Sequence, residues 1–173
     1  MTEKQEKILM AALQLFAQEG YHATSTSKVA RAAGVSEGLI FRHFKNKEGL
    51  MQAILDEGES RFKSLFADIV LETDPKEVIR KTITILHKVD VSEYDFWKLQ
   101  FKLKWELEIN GDKKMEPLKM ALVHAFSKLA YESPEQEADL LLVFIDGIAS
   151  AMLKGSQLDA DKLIPFLLKK YDL

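Results

Sequence analysis

Every boundary signal along this 173-residue chain is a helix signal, and no two β-type runs are joined by a hairpin turn. Ile8, Ala11, Ala12, Leu15 and Phe16 fall at helical spacing and Gly20 follows as a stop. Ser25 opens a short run holding Val29 and Ala30, which Gly34 ends; Ser36 opens another with Ile40, Phe41 and Phe44. Asn46 is placed to cap a long helix through Leu50, Ile54, Phe62, Leu65, Phe66 and Ile69, with Gly58 as its weak point or bend. Downstream, Asp74-Pro75 with Glu77, then Ser92, then Ser133-Pro134-Glu135-Gln136 repeat the capping logic, and Asn110-Gly111 is a turn. Gly155 ends the helix that Ser133 opens, and a last helix runs toward Tyr171 with Pro165 near its start or at a kink. The pattern predicts an all-α fold.

One stretch argues locally against it. In WKLQFKLKWELEI, residues 97–109, every odd position is apolar and every even one polar or charged, as in a half-buried strand. A lone strand of that length has no partner for its backbone groups. Wound at 100° per residue, the same residues give two apolar stripes, Trp97–Phe101–Trp105 and Leu99–Leu103–Leu107, separated by polar rows. Leu, Lys, Glu and Gln favour helix and β-branched residues are nearly absent, so the stretch is predicted to be a helix with neighbours on two sides.

Composition narrows function less than charge placement does. The net charge of −3 gives the whole molecule no basic field. Residues 1–50, however, carry seven basic against five acidic side chains, which leaves −5 for the remainder, and from Tyr21 to Lys47 five basic residues face Glu37 alone. With no cysteine there is neither a disulfide nor a thiolate metal site, and no spacing suggests a metal, a phosphate loop or another cofactor. The charged, then amphipathic start reads as neither signal peptide nor membrane span, and a cytoplasmic protein is expected.

Two short helices joined by Ala32–Ser36 form a helix-turn-helix signature, with Gly34 in the turn, Val35 plugging the angle and Ser36 capping the second helix. Such a second helix enters the major groove, and hydroxyls at a helix start, here Ser25, Thr26 and Ser27, suit phosphate oxygens. The run ILMAALQLFAQEGYHATSTSKVARAAGVSEGLIFRHFKNKEGL, with its GVS-x-G-x-x-aromatic-x-H-F-x-x-K pattern, resembles the DNA-binding domain of the TetR family of bacterial transcriptional regulators. The resemblance implies a three-helix DNA-binding domain at 1–46, a helical ligand-binding and dimerisation domain at 47–173, a homodimer, a palindromic double-stranded operator and a nucleoid-associated bacterial location. It places Ser25, Thr26, His43 and Lys47 on phosphates and Ser27, Glu37, Gly38 and Leu39 near base edges. Phe41 stands where the family usually has tyrosine, so one phosphate donor is missing. Glu37 is an acid facing DNA that suits a cytosine amino group, and Leu39 offers apolar contact only.

In the body, ADLLLVFIDGIASAML (138–153) is nearly all apolar and resembles the family's penultimate helix, part of a four-helix dimer interface. Leu142, Ile145, Asp146, Gly147, Ala149 and Ser150 are the interface candidates, with Asp146 a charge in apolar surroundings. Tyr94, Trp97, Phe101 and Trp105, with His87 and His124, are the candidates for an effector pocket, and the stripe either lines a cavity or fills a core. The expectation is a non-enzymatic regulator, a repressor released by an apolar or aromatic small molecule. A small all-α enzyme using His87 or His124 as base, and a regulator whose body binds a partner protein, are the alternatives.

Overall fold

The computed structural model of the protein describes residues 2–106, 112–156 and 160–173, with the side chains of 103–106, 112–114 and 160 left aside. Among the described residues the chain is helical, with no strand. The helices are α1 (Glu3–Glu19), α2 (Thr26–Ala33), α3 (Glu37–Phe44), α4 (Lys47–Val70), α5 (Pro75–Thr84), α6 (Tyr94–Glu106), α7 (Asp112–Lys128), α8 (Pro134–Leu153) and α9 (Ala160–Lys170). Short 3-10 turns at Ile85–Lys88 and Val91–Glu93 lead from α5 to α6. The alternating stretch is helix wherever it is described; its residues 107–109, and the Asn110-Gly111 turn, lie outside the described residues.

The punctuation works chemically at most of the expected places. Ser25 accepts from the Lys28 N–H, Asn46 Oδ1 accepts from the Gly49 N–H at 2.7 Å, and Asp74 accepts from the N–H groups of Lys76 and Glu77. Gly34 and Gly155 take positive φ of 66° and 65°, where a Cβ would be strained. Ser36 and Ser133 hold their N-cap positions, but neither hydroxyl makes a capping hydrogen bond. Ser92 sits in the 3-10 turn before α6, and Pro165 lies inside α9.

The chain forms two compact units, Met1–Arg61 with Ser92–Ile109, and Phe62–Val91 with Asn110–Leu173. This division differs from a cut at 46/47, and the physical reason lies in the first unit's core. Ile8, Ala12 and Phe16 of α1 pack with Val29, Ile40, Leu50 and Ile54, and the core is completed by Phe96 and Leu99 of α6. Polar contacts fix the same helix. Gln100 donates to the Ile54 carbonyl at 3.2 Å, and Lys102 donates to the Ala17 carbonyl at 2.6 Å, near the end of α1, which has no basic residue in its last turn. Gly58 leaves room for the Gln100 amide, with which a Cβ there would collide.

The second unit packs α5, α7, α8 and α9 with the last part of α4 around Ile79, Ile83, Leu122, Phe126 and Leu141. Tyr171 is buried against Phe126 and donates to Glu137 Oε2 at 3.2 Å; burial first, then the Glu137 charge, pushes its phenol above the ordinary range. At the α4–α5 turn, Glu72 accepts from the Lys81 ammonium and from the N–H groups of Asp74 and Thr73, which hold its carboxyl down to about 2.

Two outcomes are expected. A Cβ at Gly49 would collide with the Phe44 carbonyl oxygen, a backbone atom that cannot swing away. Gly49→Ala should therefore cost roughly 1–3 kcal/mol in denaturant unfolding, unlike Gly38→Ala, whose Cβ meets nothing within 4 Å. The Glu72 carboxyl lies below its ordinary value, so its contribution is complete above about pH 4.5 and fades as pH falls toward about 2. Glu72→Gln should flatten the melting temperature against pH in that window.

Candidate nucleic-acid interface

The turn between α2 and α3 is built from the backbone outward. The Gly34 N–H bonds to the Ala30 and Arg31 carbonyls, and the Val35 N–H bonds to the Ala30 carbonyl at 3.0 Å, closing α2. Val29, Ala30, Ile40 and Phe44 are buried, and Val35 packs in part against the same core, so the inner faces of both helices are anchored. What remains outward on α3 is Gly38, Phe41 and Arg42, with Lys45 following. Phe41 is 46% exposed, an unusual position for a large ring with nothing over it.

Thr24, passed over in the sequence, is 1% exposed and donates to the Gly20 and Leu15 carbonyls, fixing the α1–α2 turn. A buried threonine between exposed Ala23 and Ser25 carries no periodic signal that would single it out. Lys47 is half-buried, its ammonium 4.3 Å from the Tyr21 ring centroid and 3.4 Å from the His22 carbonyl, so α4 begins with its cation held against that turn. His43 is half-buried, edge-on to Phe44.

The hydroxyl cluster divides by role. Ser25 is the cap of α2 and Ser27 is exposed, whereas Thr26 Oγ1 donates to Glu37 Oε1 at 2.6 Å, bridging the starts of α2 and α3. Leu39, half-buried, packs in part against the core. Lys28 pairs with Glu19 at 2.5 Å, so its charge is already answered within the unit.

The remaining candidates scatter. Tyr94, Trp97 and Phe101 are half-buried on α6, in the unit that holds the helix-turn-helix; Trp97 packs against that core, and its indole N–H is buried with no acceptor among the described residues. The Trp105 side chain lies outside the described residues. Phe96, missed because it precedes the alternating run, is buried and lines a cleft of about 60 Å³ with Leu9, Leu13, Ile54 and Arg61. The Arg61 guanidinium lies 4.5 Å from the Phe96 ring centroid and bridges Glu57 and Glu93 at 3.0 and 2.8 Å. His87 and His124 are both exposed, His87 lying 3.6 Å from Asp161.

On α8, Ile145 turns inward to its own unit's core, Leu142, Ala149 and Ser150 are half-buried, and Asp146 and Gly147 are exposed. Within the single chain Asp146 is exposed. The exposed apolar residues are Leu140, Val143 and Phe144, joined in the same unit by Phe166 of α9. Hydropathy does not separate these from their inward neighbours, because α8 is apolar almost all round. No described group of His, Asp and Glu is placed to hold a metal, and no described helix is long and apolar enough to cross a membrane.

With this geometry the comparisons agree. A family model described as bacterial regulatory proteins, tetR family, matches residues 8–54. YvkB of Bacillus subtilis, an uncharacterized HTH-type transcriptional regulator, is 46% identical over 65 residues, 38% of this chain and 34% of its own length. The HTH-type transcriptional repressor AcnR of Corynebacterium glutamicum is 30% identical over 106 residues, 61% of this chain and 52% of its own. The matched stretches thus span about a third to a half of these curated relatives. Across nearly the whole chain, the fold is similar to that of a transcriptional regulator from Saccharomonospora viridis solved with choline: TM-score 0.78, 19% identity, 98% of this chain and 95% of that one covered.

Proposed function

We propose that this chain, whose residues 8–54 match the model of the tetR family of bacterial regulatory proteins, is a TetR-family regulator: a dimeric, DNA-binding transcriptional repressor with a small-molecule effector. The observation that carries the proposal is α3: Ile40 and Phe44 anchor it in the core while Gly38, Phe41 and Arg42 stay exposed on its other side. Gly38 has open space where a Cβ would be, which suits close approach of a duplex edge. Ser25 and Ser27 at the start of α2, His43, and Lys47 at the start of α4 are the proposed phosphate contacts, with helix N-termini reinforcing the anion preference. Repression, as against activation, is supported by the name of the relative AcnR.

Dimerisation is supported by the exposed apolar residues of α8 and α9, since a two-fold protein matches a palindromic site. The effector is proposed to be apolar or aromatic and to bear a hydrogen-bond acceptor. What supports that is the aromatic content of α6 and the buried Trp97 N–H, a donor that costs about 1–3 kcal/mol when left unmet. An enzymatic role for His87 or His124 draws no support from their exposed positions.

Binding to duplexes from the flanks of the chain's own gene should weaken steeply between about 50 and 200 mM salt, by on the order of 10³-fold or more. Lys47→Met should reduce the slope of log K against log salt by about 1 for each subunit bound. Absence of salt-dependent binding would sink the proposal. Separately, Val143→Asp and Phe144→Glu should each yield monomers in sedimentation with helicity retained; a persistent dimer would move the interface elsewhere.

A further inference from the structure

We propose that Thr26 and Glu37 together form a base-selecting pair, in which Thr26 positions the Glu37 carboxylate to accept from a cytosine amino group and does not itself hold a phosphate. This rests on the regulator reading above and departs from the role that the family resemblance gives Thr26. A threonine hydroxyl has one proton, and here it is donated to Glu37 Oε1 at 2.6 Å, the short distance of a charge-assisted bond. While that bond stands, Thr26 has no proton to offer a phosphate oxygen. Ser25 is the contrast: its oxygen accepts from the Lys28 N–H, so its own proton stays available. The phosphate-donor role at this helix start passes to Ser25 and Ser27.

Glu37 has lone pairs left over beyond the one that accepts from Thr26. Thr26, its partner in the structure, is neutral, while Lys28, a cation on the same helix as Thr26, is taken by Glu19. The first turn of α3 favours an anion, and Ser36, not Glu37, occupies the cap. Both Thr26 and Glu37 are half-buried, so the carboxylate is held in place before any duplex arrives and loses little freedom on docking. Glu37 is the one acid among residues 21–47, a region otherwise suited to phosphates. A carboxylate so placed is repelled by the sugar-phosphate backbone and gains only at a base edge.

Which edge follows from donors and acceptors. An ionised carboxylate only accepts. Guanine offers N7 and O6, and thymine O4, all acceptors that repel it. Adenine N6 lies between two acceptors, its own N7 and the O4 of the paired thymine, whereas cytosine N4 has an acceptor on one side only, the O6 of the paired guanine. The Thr26-held carboxylate therefore selects cytosine in each half-site.

Selection of binders from a randomised duplex library tests this with the full chain and its variants. The wild-type chain should enrich duplexes with cytosine at one symmetric position in each half-site. Glu37→Gln should move that preference toward adenine, which a carboxamide meets at N6 and N7 together. Thr26→Val should weaken the cytosine preference at least about fivefold while changing affinity for a non-specific duplex less than about threefold, and Thr26→Ser should restore it. An unchanged base preference in Glu37→Gln or Thr26→Val overturns the inference, as does a loss of more than about tenfold in non-specific affinity in Thr26→Val, which would return Thr26 to the phosphates. If the wild-type chain enriches DNA without a cytosine position, this inference alone falls. If it enriches no duplex at all, the regulator reading falls with it.

Discussion

The packing of α6 against α1 and α4 is the contact on which the first unit depends. α1, the two short helices α2 and α3 and the start of α4 form a small unit, and small units bury a low share of their apolar surface. Phe96 and Leu99 add two fully inward side chains to that core, and Gln100 and Lys102 attach the helix to the Ile54 and Ala17 carbonyls. The chain thus leaves this unit after Arg61, builds part of the second, and returns at Ser92. The helix-turn-helix and the aromatic helix share one core as a result, and a change in the seating of Phe96 is felt by Leu13 and Ile54 directly.

Electrostatics on the same unit is economical in its use of free charge. Of the five basic residues between Tyr21 and Lys47, Lys28 is committed to Glu19, and Lys47 is braced against the Tyr21 ring and the His22 carbonyl. Burial and the nearby Glu48 charge push the Tyr21 phenol up, keeping that ring neutral. Held cations give up less freedom when they meet phosphates than long, free side chains do. The +4 formal charge of this region thus combines two held cations with three exposed ones, Arg31, Arg42 and Lys45.

Local chemistry was readable in the sequence and long-range chemistry was not. Caps at Ser25, Asn46 and Asp74, and the left-handed glycines at 34 and 155, follow from rules spanning four residues, and they hold. The alternating run 97–106 is helix because backbone pairing outweighs a local pattern. The room that Gly58 makes for the Gln100 amide was not legible, because that amide lies 42 positions away. Phe96 was overlooked for the same kind of reason: its importance comes from Leu9, Leu13 and Ile54, not from its neighbours. The Thr26–Glu37 bond spans eleven positions and a turn, and only the seating of α2 against α3 brings the two together.

The apolar helix α8 shows where hydropathy stops being informative. Ala138, Leu141, Ile145 and Ile148 recur at helical spacing and turn into their own core, yet Leu140, Val143 and Phe144, just as apolar, stay exposed. The apolar surface of α8 is wider than the inward stripe that its own unit covers. Val143 at 69% and Phe166 at 63% exposure are far beyond what a single buried face leaves over. Gly147, Ala149 and Ser150, three of the interface candidates, are small and offer little apolar area. The structure puts the larger unmet demand on Val143, Phe144 and Phe166, and burying those rings and branches would remove more apolar area from water than close contact at glycine and alanine would.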